Sequence, residues 1–141
     1  MEKKLEKRFY RIIDANFNRA REGLRVCEDV CRFFYNKRKG TEKYKRVRHR
    51  LTTVLKSWDI QQMLAARDTG RDVGRQGNES ELVRRDLKDI FYANSQRVKE
   101  SLRVLEEFAK LIDIKSARDL KSLRYQVYLL EQETLKGFFR S

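Results

Sequence analysis

Ala15-Asn16-Phe17-Asn18-Arg19-Ala20-Arg21-Glu22-Gly23-Leu24-Arg25-Val26-Cys27-Glu28 decides the fold, because the chain carries it twice. The second version is Ala93-Asn94-Ser95-Gln96-Arg97-Val98-Lys99-Glu100-Ser101-Leu102-Arg103-Val104-Leu105-Glu106. Across residues 15–33 and 93–111, at an offset of 78, eight of nineteen positions are identical. A repeat of this period predicts two similar helical units. The following helices correspond more weakly, Lys45-Arg46-Val47-Arg48-His49 with Lys121-Ser122-Leu123-Arg124-Tyr125, at an offset of 76. The expected architecture is all-α: one helical domain over 1–141, a four-helix up-down bundle of two tandem hairpins about a pseudo-twofold axis. The units would span about 5–66 and 78–139, joined by loop 67–77.

The periodicity outlines the elements. Helix one is expected over residues 5–36, with Phe9, Ile13, Phe17, Ala20, Leu24, Cys27, Cys31 and Phe34 at 3–4 spacing. Residues 36–40 close it, and Thr41 is placed to cap helix two. Helix two buries Tyr44, Val47, Leu51, Val54, Leu55 and Trp58 and continues towards Leu64. Asn78 with Glu81 reads as a capping box for helix three, whose inward positions include Leu87, Ile90, Phe91, Asn94, Val98, Leu105 and Ala109. Ser116 with Asp119 opens helix four, with the stripe Leu120, Leu123, Val127, Leu130 and Thr134.

Composition narrows the class. Zero Pro and six Gly in 141 residues favour long helices. With no run of eighteen apolar residues and no signal peptide, the chain reads as soluble and cytoplasmic, with no membrane partner. Cys27 and Cys31 lie on the apolar face without further Cys and with a single His, so they read as reduced core thiols rather than metal ligands. The net charge of +13, concentrated as +8 over residues 37–56, favours an anionic partner. A high share of charged residues also accompanies heat adaptation.

Several residues exceed what packing asks for. Asn16 and Gly23 fall inside the stripe of helix one, Asn94 and Ser101 inside that of helix three. Either the two Asn bond each other across the axis, or they line a polar cavity between the helices with the small residues making room for a ligand. Arg19, Glu22, Arg25 and Glu28 recur as Arg97, Glu100, Arg103 and Glu106, spaced for i,i+3 pairs. Loop 67–75 interleaves Arg67, Arg71 and Arg75 with Asp68 and Asp72 between Gly70 and Gly74. Arginine forks match phosphate oxygens and carboxylates can hold Mg²⁺, although the same composition suits a solvated connector. No P-loop pattern is present. His49, the single histidine, is the simplest general base, and its repeat mate is Tyr125.

Arg11 through Val26, Val47-Arg48-His49, Ala66-Arg67-Asp68-Thr69 through Asp72-Val73-Gly74, Ala93-Asn94 through Leu102-Arg103-Val104-Leu105-Glu106-Glu107-Phe108, and Leu123-Arg124-Tyr125 resemble a small bacterial family. Its members are hydroxymethylpyrimidine phosphate kinases, alone or fused ahead of thiamin-phosphate synthase. The resemblance covers nearly the whole chain, which ends at Ser141 like the standalone form or an excised domain. It implies ATP-dependent conversion of 4-amino-5-hydroxymethyl-2-methylpyrimidine phosphate to the diphosphate in thiamin biosynthesis, with ATP and Mg²⁺. The positions it points to are Arg67, Arg71 and Arg48 as phosphate clamps, and Asp68 and Asp72 as Mg²⁺ ligands. Arg67 and the two aspartates form the catalytic group. Asn16, Asn18, Arg19 and Glu22 would line the pyrimidine or phosphate pocket, with Asn94 and Arg97 from the second unit and His49 beside the substrate.

Two other readings compete. A basic helical protein could bind nucleic acid through residues 37–56, but Tyr44 and Trp58 lie on the buried stripe and offer little stacking. A non-catalytic docking domain for thiamin-phosphate synthase would also explain the fusion habit. Dense arginine near a pocket suits completion by a second subunit, which leaves a symmetric homo-oligomer open.

Overall fold

A computed structural model describes residues 6–77 and 79–138; side chains of residues 79 and 80 are outside that description. Among the described residues the chain is entirely helical, with no strand. The long helices are α1 (Lys7–Asp29), α2 (Arg38–Lys56), α5 (Leu87–Ala109) and α6 (Ile114–Phe138), with shorter α3 (Ile60–Ala66) and α4 (Glu79–Leu82) between α2 and α5. Contacts run from α1 to α2, α2 to α6, α6 to α5 and α5 back to α1, which closes the long helices around one core. Ile13, Leu24, Tyr44, Leu51, Phe91, Val98, Leu102, Leu105, Leu120, Leu123 and Val127 are buried there. Tyr44 and Phe91 meet edge to face with ring centroids 6.3 Å apart, worth about 0.5–1.5 kcal/mol beyond area burial.

The repeat has a tertiary counterpart. On α1, Glu28 takes Arg25 of its own helix at 3.3 Å and Arg48 of α2 at 3.1 Å. On α5, Glu106 pairs with Arg103 of its own helix and with Arg124 of α6, the latter at 3.5 Å. Both hubs are buried, so each hairpin is tied by one carboxylate shared between two arginines.

Several boundaries move, each for a local reason. Helix one ends its α geometry at Asp29 and passes into a π segment, Val30–Phe34, in which Tyr35 N–H reaches back to Val30 O. The wider turn rotates Phe33 and Phe34 into solvent, so Phe34 leaves the predicted stripe. Asn36 then adopts a left-handed conformation (φ 53°) and Lys37 N–H closes onto Cys31 O, ending the segment. Helix α2 starts three residues before Thr41, whose hydroxyl donates back to Lys37 O at 2.7 Å instead of capping the helix. It also stops at Lys56 rather than continuing to Leu64. Trp58 lies in the break, still buried, with Nε1 donating to Ser116 Oγ at 3.2 Å, and Asp59 caps α3 through Gln62 N. The break swings α3 against α1. That packing delivers the following loop to the α1 surface.

The capping box involves Asn78, which lies outside the described residues. The cap of the long helix is instead Asp86, whose Oδ1 accepts from Asp89 N at 2.9 Å. At α6, Asp113 rather than Ser116 is the acceptor: its carboxylate takes Ser116 N at 2.6 Å and Ser116 Oγ at 2.9 Å. Ile90 is partly exposed and Asn94 only half-buried, because α5 turns that flank outward. Cys27 and Cys31 are free and buried, and burial pushes both thiols up from their ordinary range.

Gly23 does not make room for a ligand. A Cβ there would stand 2.6 Å from Val98 Cγ2 and 2.9 Å from Asn94 O, so hydrogen at this position lets α1 approach the α5 backbone. Gly23→Ala is therefore expected to destabilise the fold by about 1–3 kcal/mol through overpacking, outweighing its ~0.5–1 kcal/mol helix-propensity gain. A chemical denaturation midpoint below wild type, with unchanged slope, is the expected reading.

Candidate functional site

The two central asparagines do not bond each other. Asn16 Nδ2 donates to Ile12 O at 2.9 Å and Asn94 Nδ2 to Ile90 O at 2.8 Å, each one turn back along its own helix. Asn16 is buried and lines an open cavity of about 730 Å³, formed by α1 and the loop after α3 rather than between α1 and α5.

That cavity brings together most of the expected residues. Asn16, Asn18, Arg19 and Glu22 come from α1, and Arg67, Asp68 and Asp72 from the loop. The loop is held by a residue that the sequence reading passed over. Asp14, buried on α1, accepts Arg67 Nε at 2.8 Å and Arg67 Nη2 at 2.7 Å, a two-point fork across 53 residues of chain. Asn18 Nδ2 braces the same carboxylate at 3.2 Å. The pairing raises the Arg67 guanidinium above its ordinary range, chiefly through hydrogen bonding to Asp14. Two of its five N–H donors are committed to Asp14, so a fixed guanidinium presents the others elsewhere.

The loop itself is short and self-bonded. Thr69–Arg71 form a 3₁₀ turn. Asp68 accepts Arg71 N–H at 3.2 Å and pairs with the Arg71 side chain at 3.5 Å. Asp72 Oδ1 accepts Gly74 N–H at 2.9 Å. Both residues line the cavity; Arg71 engages both oxygens of Asp68, while Gly74 N–H takes only Oδ1 of Asp72. An all-oxygen pair of this kind fits a hard cation such as Mg²⁺, which keeps waters and takes one or two carboxylates plus phosphate oxygens. Among the described residues no three His, Cys, Asp or Glu gather as a metal-binding group, so no all-protein cage is present.

Other expected residues lie elsewhere. Arg48 is buried against Glu28 and lines a separate cleft at the α1–α2 corner. Arg71 is exposed and turned onto Asp68. His49, Arg97 and Asn94 do not line the cavity: His49 and Arg97 are solvent-facing, and Arg97 O accepts the Ser101 hydroxyl at 2.6 Å. Arg8 and Arg11, which the motif reading did not select, do line it. No helix among the described residues is long and apolar enough to cross a membrane.

A family model described as the ThiD2 family matches residues 11–133. A thiamine-phosphate synthase of Synechocystis is 46% identical over 126 residues, covering 89% of this chain and 36% of that protein. Those of Nostoc punctiforme and Rhodopirellula baltica are 43% and 41% identical, covering 89% and 87% of this chain and 35% and 33% of their own length. The chain thus spans about a third of the curated relatives it matches. No solved structure matches it. The chain belongs to the ThiD2 family.

Proposed function

We propose that this member of the ThiD2 family phosphorylates 4-amino-5-hydroxymethyl-2-methylpyrimidine phosphate to its diphosphate, using ATP, in the thiamin biosynthesis of the cytoplasm. The observation that carries the reading is the cavity where Asp14 fixes Arg67 opposite Asn16, Asn18 and Glu22, with Asp68 and Asp72 on its rim. The names of the relatives supply the thiamin context.

The chemistry asks little of a general base. A phosphate monoester has a second pKa of about 6 and is largely dianionic at neutral pH. Its oxygen attacks the γ-phosphorus of ATP, the bond from that phosphorus to the β-bridging oxygen breaks, and ADP leaves with the electron pair. The solvent-facing His49 is then not needed. The obstacle is repulsion between two polyanions, which positioning and charge neutralisation overcome. Arg67, fixed by Asp14, together with Arg19, Arg8 and Arg11 supplies positive charge in the cavity. Asp68 and Asp72 would hold Mg²⁺, which neutralises the terminal phosphates when bound. The asparagine amides and Glu22 can hydrogen-bond the aminopyrimidine.

An ADP-release assay with the pyrimidine monophosphate tests this. Asp72→Asn is expected to lower turnover by about 10–100-fold, and chelation of Mg²⁺ to abolish it. Full activity in Asp72→Asn removes that residue from the metal role.

The frame of the reading is two tandem hairpins in an up-down bundle with a pseudo-twofold axis, supported by the matched Glu28 and Glu106 hubs. A second reading, a non-catalytic partner domain of thiamin-phosphate synthase, is favoured by relatives in which the match is about a third of a synthase chain. Phosphotransfer by this chain alone dismisses it. Tyr44 and Trp58 are buried, which leaves a nucleic-acid role without aromatic stacking from the basic helix.

A further inference from the structure

A second cleft, of about 510 Å³, opens where α1 passes through the π segment into α2. Arg25, Arg32, Lys37, Arg38, Lys45 and Arg48 line it against only two carboxylates, Glu28 and Glu42. Ion pairing does not consume the excess. Glu28 is shared between Arg25 and Arg48, and Glu42 takes Arg38 at 3.2 Å. Arg32, Lys37 and Lys45 have no carboxylate partner among the described residues. The positive end of the 19-residue α2 opens on the same side, with no side-chain cap and no acidic residue in its first turn. Unopposed cations crowded in one cleft repel one another, and a polyanion relieves that repulsion.

The loop cavity differs in kind, because four arginines there face four carboxylates. A balanced site suits a metal and a small polar ring; an unbalanced one suits a highly charged chain. The two are neighbours along α1. Asn18 and Glu22 line the first and Arg25 the second, all three on one flank of α1, while Arg32 reaches the second from the π segment. From Glu22, at the edge of the first, to Arg25, at the edge of the second, the helix rises about 4.5 Å, a step that a triphosphate chain can bridge.

We propose that the nucleotide lies along α1 with its polyphosphate against the α1–α2 cleft, its terminal phosphate directed to the cavity of Asp68 and Asp72. The proposal rests on the kinase reading above and adds where the donor binds. Arg48 acts in it as a cleft wall fixed by Glu28, and exposed Arg32, Lys37 and Lys45 supply the attraction.

Calorimetric titration separates the two claims. ATP with Mg²⁺, inorganic triphosphate and the pyrimidine monophosphate are titrated into the wild-type chain and into the triple variant Arg32→Gln, Lys37→Gln, Lys45→Gln. All three positions are exposed, and Lys45→Gln alone is measured beside the triple variant. The expected result is an ATP Kd raised at least about tenfold in the triple variant, an unchanged Kd for the pyrimidine phosphate, and competition between inorganic triphosphate and ATP. A wild-type chain that turns over ATP while the variants bind it equally well overturns the cleft and leaves the kinase standing. Absence of ATP binding and turnover in the wild type overturns the kinase reading and the cleft with it. Loss of RNA binding but not ATP binding in the triple variant assigns the cleft to nucleic acid and also overturns the proposal.

Discussion

Arg67→Lys is expected to lower kcat for phosphotransfer by about 10²–10³-fold, with the helical circular-dichroism signal retained. The fork to Asp14 uses Nε and Nη2 at 2.8 and 2.7 Å, so the guanidinium is aimed before any ligand arrives. Lysine keeps the charge but has one point of attachment and no planar fork. It can reach Asp14 or a phosphate, not both in a set geometry. Because the Arg67 side chain is 43% exposed, solvent screens the pair and its share of stability is small. The effect should therefore appear in catalysis more than in folding. Asp14→Asn should move kcat in the same direction, since it loosens the same group without touching substrate. Steady-state rates of both variants, read beside their thermal midpoints, check this; unchanged kcat in Arg67→Lys would make the fork a mere tether for the loop.

Glu28→Gln should have the largest effect on stability, about 3–5 kcal/mol, seen as a fall in thermal midpoint on the order of 10 °C. The Arg48 and Glu28 side chains are 10% and 3% exposed. Removing the carboxylate charge leaves a buried guanidinium without a counter-ion, while Arg25, more than half exposed, can turn to water. Adding Arg48→Met removes the stranded charge and should recover most of the loss. The matching hub behaves differently. Glu106 Oε1 and Arg124 Nε find no hydrogen-bond partner, so the second triad is less completely satisfied. Glu106→Gln should accordingly cost less, about 1–3 kcal/mol. Parallel denaturation of the three variants decides between two equal hubs and this graded pair.

The helical class and the repeated core were legible because period and composition act locally. Ala20, Leu24, Cys27, Val98, Leu102 and Leu105 are buried as their spacing asks. The gathering of Asn16, Asn18, Arg19, Glu22, Arg67, Asp68 and Asp72 at one cavity agrees with what the family resemblance implied; spacing alone singled out Asn16, Arg19 and Glu22 and placed the cavity between the first and third long helices instead. What escaped depends on contacts distant in sequence. Asp14 looks like one more surface carboxylate until the break at Ser57–Asp59 folds α3 onto α1 and brings Arg67 to it. Gly23 reads as vacant space on a wheel, yet the α5 backbone occupies it. Arg8 and Arg11 left a usable trace: at the offset of 78 they fall opposite Asp86 and Asp89, a reversal of charge between halves that packing alone does not require. The π segment left none, since its one-residue slip changes no residue type.

Phosphorus NMR of the isolated chain with ATP, Mg²⁺ and the pyrimidine monophosphate follows the bond that the account says is made. The prediction is a diphosphate ester appearing in step with ADP, and slowed in Arg67→Lys by the same factor as kcat. Recovery of the monophosphate unchanged, with ATP either intact or hydrolysed to ADP and free phosphate, would contradict it.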